Sequence, residues 1–203
     1  MKSKVMLKFV ISIFTVLLLL PGCSSKPSLD LVGSTVEIRN DEGIGITSGE
    51  NKGEIIVPIA LSYDFVLKNT GEKTLGGIKK LNEQKYEYDD GIKVYIEPNE
   101  KLKAVSEEVM GINIYEEDKE GNLGMGGKTS FPVLEPNQDG KYTLDFILGA
   151  LEENPDIKLA PSSEQLEKLK EQAMDATLIV SVEGEEIARF DLSNSDEVTL
   201  NTF

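Results

Sequence analysis

The sequence predicts a mainly β protein, an antiparallel sandwich carrying one helix. Three observations lead there. Several short runs alternate apolar and polar residues with period two, and clusters of Gly, Asn, Asp and Pro separate them. Only one stretch combines helical spacing with a capping signature. Many short strands with turn signals and little helix favour two packed antiparallel layers.

The longest run, residues 54–69, reads EIIVPIALSYDFVLKN. Ile59, Leu61, Tyr63, Phe65 and Leu67 fall on one face of a strand, and Ala60, Ser62, Asp64, Val66 and Lys68 on the other. The first set is expected in the core, with Asp64 and Lys68 in solvent. Pro58 cannot donate to a ladder, so the strand starts or bulges there, or lies at an edge. Asn69-Thr70-Gly71-Glu72 supplies turn chemistry before a further strand at 74–81. Ile92, Val94 and Ile96 form a second alternating run, and Ile112 and Ile114 a third that leads into the turn-rich EEDKEGNLG. The fourth, Tyr142, Leu144, Phe146 and Leu148, is entered through Pro136-Asn137-Gln138-Asp139-Gly140. Runs at 176–182 and 186–192 flank Glu183-Gly184-Glu185 and read as a hairpin; 35–39 and 198–200 are shorter candidates. The helix is expected near 163–174. There Leu166, Leu169 and Ala173 share a face, Ser162 and Gln165 match a capping box, and Pro161 blocks an earlier start. It is expected to pack across an open end or edge of the sheet. Residues 40–52 and 149–161 read as long loops.

The 203 residues include no His, no Trp and one Cys. Disulfides within the chain, His-ligated metals and Ser-His or Cys-His catalytic pairs are thereby excluded. The formal charge is −15. A polyanion gains nothing by displacing counterions from nucleic acid and is repelled by anionic headgroups, so no nucleic-acid partner is expected.

Lys2, Lys4 and Lys8 precede an apolar run at 9–20, FVISIFTVLLLL. As a helix those residues rise about 18 Å, short of a ~30 Å hydrocarbon core, so they read as an export signal. Leu20-Pro21-Gly22-Cys23 resembles the lipobox of bacterial lipoproteins, although Pro21 stands where a small or β-branched residue is more usual. The resemblance implies that residues 1–22 are a signal peptide and that Cys23 becomes the first mature residue. Its sulfur would carry a diacylglyceryl group, anchoring the protein in the bilayer on the extracytoplasmic side of the cell membrane. Residues 23–30 would be the lipidated tether and 31–203 a single β-rich domain; loss of the three lysines takes the charge to −18.

The stretches YDFVLKNTGEKTLGGI, INIYEEDKEGNLG and LEPNQDGKYTLDFIL, within residues 62–148, resemble the immunoglobulin-like modules of bacterial surface proteins. That likeness implies an immunoglobulin-like sandwich with a binding or spacer role and brings no catalytic residues.

Asp118, Glu120 and Asn122 place oxygen side chains at alternate positions, as in a calcium loop, but Leu123 and Thr129 stand where that loop needs Gly and Glu. They read first as an acidic turn, as does Asp89-Asp90-Gly91. Asn69-Thr70-Gly71 is similar to the Asp-Thr/Ser-Gly loop of aspartic proteases with the carboxylate missing. The Gly-rich residues 121–127 lack a phosphate-loop Lys at the right spacing. Tyr86, Tyr88 and Tyr95 read as strand-packed tyrosines before a ligand patch. No catalytic residue, metal site or cofactor is assigned. The expected function is a non-enzymatic, lipid-anchored surface protein with an envelope or cell-wall partner. A carboxylate-based hydrolase or calcium-dependent module acting on cell-wall material is the alternative.

Overall fold

The computed structural model describes residues 28–40, 43–45, 52–53, 55–80, 86–87, 90–116, 132–153 and 157–194. The chain is mainly β, and its strand ladders are antiparallel. In order the strands are β1 (Leu29–Arg39), β2 (Ile44–Gly45), β3 (Ile55–Ile56), β4 (Pro58–Asn69), β5 (Leu75–Gly76), β6 (Lys79–Lys80), β7 (Tyr86–Glu87), β8 (Ile92–Pro98), β9 (Val133–Leu134), β10 (Asp139–Ala150), β11 (Ala176–Val182) and β12 (Glu185–Asp191). Helix α1 (Glu100–Met110) follows β8, and α2 (Ser163–Gln172) precedes β11.

The first sheet has the order β1-β4-β10. Its core face follows the predicted alternation, with Ile59, Leu61, Tyr63, Phe65 and Leu67 buried on β4 and Tyr142, Leu144, Phe146 and Leu148 on β10. Tyr142 faces Phe65, Leu144 faces Tyr63 and Phe146 faces Leu61 across the ladder, so large side chains stabilise it pairwise. Asp64 and Lys68 are half-buried instead of fully solvated. The reason is position: β4 is central, and side chains of β1 and β10 flank its outer face. Asp64 accepts a hydrogen bond from Thr143 Oγ1 at 2.6 Å and pairs with Arg39. Lys68 lies 3.8 Å from its cross-strand neighbour Asp139.

The predicted strand at 35–39 reaches back to Leu29 through a bulge between Leu31 and Gly33. The last two residues assigned to the tether therefore already pair with β4, Leu29 with Asn69 and Asp30 with Lys68. The predicted strand at 74–81 is split into β5 and β6. Gly76 causes the break: its φ is 74°, and a Cβ there would lie 2.1 Å from the Pro132 carbonyl. β5 pairs with β9, β2 with β3, and β6 with β7.

The second sheet has the order β12-β11-β8, with Ile92, Val94 and Ile96 buried as expected. β11 and β12 form the predicted hairpin, closed by Glu183 (φ 53°) and Gly184 (φ 79°). Positive φ at both positions is what a two-residue turn of the right twist requires.

Helix α2 starts as predicted, with the Ser162–Gln165 capping box formed. A second helix, α1, was not expected, and it corrects the third alternating run. Asn99 Oδ1 accepts from Lys101 N and Leu102 N at 3.0 Å each, and Gly111 ends the helix in the left-handed region with its N–H on Glu107 O. Leu102, Ser106 and Val109 form its buried face. Ile112 and Ile114 therefore sit in the turn after a helix, Ile112 exposed and Ile114 buried, and not in a strand. The helices pack on one another, joined at the surface by Lys168 and Glu108 at 2.6 Å. Both sheets and both helices contribute to one apolar core. An immunoglobulin domain sets four strands on three; here two three-stranded sheets share their core with a helix pair.

Candidate functional site

Buried polar groups are directed inward, toward the fold itself. Tyr63 donates its hydroxyl proton to Ala173 O at 2.9 Å, leaving its oxygen to accept from Tyr115 at 2.8 Å. Phe146 meets Tyr63 edge-on, with ring centroids 5.8 Å apart. Burial pushes both hydroxyls, and that of Tyr142, above the usual tyrosine range, so all three stay neutral. Ser106 Oγ donates to Ile112 O and accepts from Ile114 N, both at 3.0 Å, which fixes the turn after α1.

Asn69 is fully buried at the end of β4. Its Nδ2 donates to Lys73 O at 2.8 Å and Leu134 O at 2.9 Å, while Oδ1 accepts from Gly71 N at 3.0 Å. Its backbone N–H donates to Gln138 O and its carbonyl accepts from Asn137 N, and Thr70 N donates to Ser28 O at 2.9 Å. The Asn-Thr-Gly segment is thus a clamp that fastens Ser28, β4, β9 and β10 at one end of the first sheet. An Asp at this position could not supply the two donated bonds.

On the outer face of that sheet, Arg39 joins β1 to Asp64 of β4, and Thr143 joins it from β10. The hydrogen bond to Asp64 holds the Arg39 guanidinium above its already high range, fixing its positive charge. Glu37 lies 3.1 Å from the same guanidinium. On the second sheet, Arg189 bridges Glu97 of β8 and Glu186 of β12 across β11. Asp191 is held below the usual carboxylate range by the Ser193 hydroxyl, then by the Ser193 N–H. These groups are arranged as strand ties and turn caps.

Toward the opposite end of the first sheet several large aliphatic side chains are exposed. β10 ends at Ala150, paired with Pro58, and Leu159 returns to bridge Ala150, with Ala150 N on Lys158 O at 2.9 Å and Ala160 N on Ala150 O at 2.8 Å. Around that junction Ile55 is 72% exposed, Val57 41%, Leu151 59% and Leu159 60%. None of the four was singled out from the sequence. The available signal was the aliphatic run Ile55-Ile56-Val57 ahead of Pro58, and Leu151 and Leu159 in a segment otherwise rich in acid and Pro.

Cys23, Asp118, Glu120 and Asn122 lie outside the described residues, as do Asp89, Tyr88, residues 121–127 and the strand candidate at 198–200. Asp90 is an exposed turn residue, Tyr86 lies in β7, and Tyr95 is half-buried on β8 opposite Ile179. Among the described residues no three His, Cys, Asp or Glu side chains are grouped to hold a metal ion. No helix among them is long and apolar enough to cross a membrane.

Neither a family model, nor a curated protein, nor a solved structure is similar to it.

Proposed function

We propose that this is a lipid-anchored envelope protein, held on the extracytoplasmic side of the cell membrane through Cys23, with a non-enzymatic binding or structural role. The observation that carries this reading is the order of features at the N-terminus. A basic flank, a short apolar run and the lipobox Leu20-Pro21-Gly22-Cys23 lead to the sole Cys of the chain. Among the described residues the first strand begins at Leu29. Two acyl chains give stable attachment where one is marginal, at about 0.8 kcal/mol per buried methylene. The use of buried polar side chains as internal clamps supports a scaffold whose work is done by its surface.

The test is Cys23→Ala in the native host with a clickable palmitate label. The parent is expected to take up label and fractionate with membranes, and Cys23→Ala to lose both. A Cys23→Ala protein that is cut and membrane-bound like the parent would sink the proposal.

A further inference from the structure

We draw no further inference here: the strongest candidate, the exposed aliphatic side chains of Val57, Leu151 and Leu159 beside the Pro58–Ala150 end of the first sheet, carries nothing because nothing in the structure shows what covers them.

Discussion

At the Leu29 end of the first sheet, Asn69 closes three backbone groups with one side chain and Ser28 is bonded to Thr70. At the Ala150 end the same three strands stop with Ile55, Val57, Leu151 and Leu159 turned to water. The strands and the core beneath are continuous from one end to the other, so the contrast comes from what caps the sheet. A buried amide with every donor and acceptor engaged seals an end and fixes the chain that enters there. Exposed aliphatics stabilise the fold little.

The sharpest way to break this contrast is Asn69→Ala. It removes the partners of Lys73 O, Leu134 O and Gly71 N at a fully buried position, and should cost about 2–3 kcal/mol in a denaturant titration. A loss below about 0.5 kcal/mol would mean the clamp is replaced by water and the ends do not differ in stability.

Midway along β4, Tyr63, with Tyr115 from the turn after α1, provides an interior reference through alkaline stability. An unfolded tyrosine titrates near pH 10. In the fold, burial keeps Tyr63, Tyr115 and Tyr142 protonated to higher pH. The native state therefore binds more protons above pH 10, so their contribution is intact below that pH and is lost as pH rises beyond it. Each group should steepen the decline by up to about 1.4 kcal/mol per pH unit. Tyr115→Phe should remove one share of that slope while Tyr63 still donates to Ala173 O. An unchanged slope would show that Tyr115 is open to solvent.

The smallest expected effect belongs to the far end. Ile55→Ser combined with Leu159→Ser should change stability by less than about 0.5 kcal/mol, because exposed side chains away from the core contribute little. A loss above 2 kcal/mol on the order of a core truncation would show that these residues are packed and that the contrast is false.

The two helices show what could be read in advance. α2 announces itself because Ser162 and Gln165 cap one another locally and Leu166, Leu169 and Ala173 continue the spacing. α1 has equally good ends in Asn99 and Gly111, yet its buried stripe contains Ser106. A hydroxyl at a core position reads as solvent-facing until its partners, Ile112 O and Ile114 N, are known. Ile112 and Ile114 then imitate strand alternation across what is a helix end. Asn69 has the same ambiguity: alone it is a turn residue, and only the approach of Leu134, sixty-five positions away, makes it a clamp.

Local chemistry by itself determined the faces of β4, β8 and β10, the Glu183-Gly184 turn and the cap of α2, since each depends on residues within a few positions of one another. Tertiary structure alone decided that β4 lies between β1 and β10, that Asp64 meets Arg39 and Thr143, and that residues 55–57 and 151–159 gather at one end. Those outcomes depend on pairings across tens of residues. Periodicity gives each strand a buried face, but it does not say which strand will lie beside it.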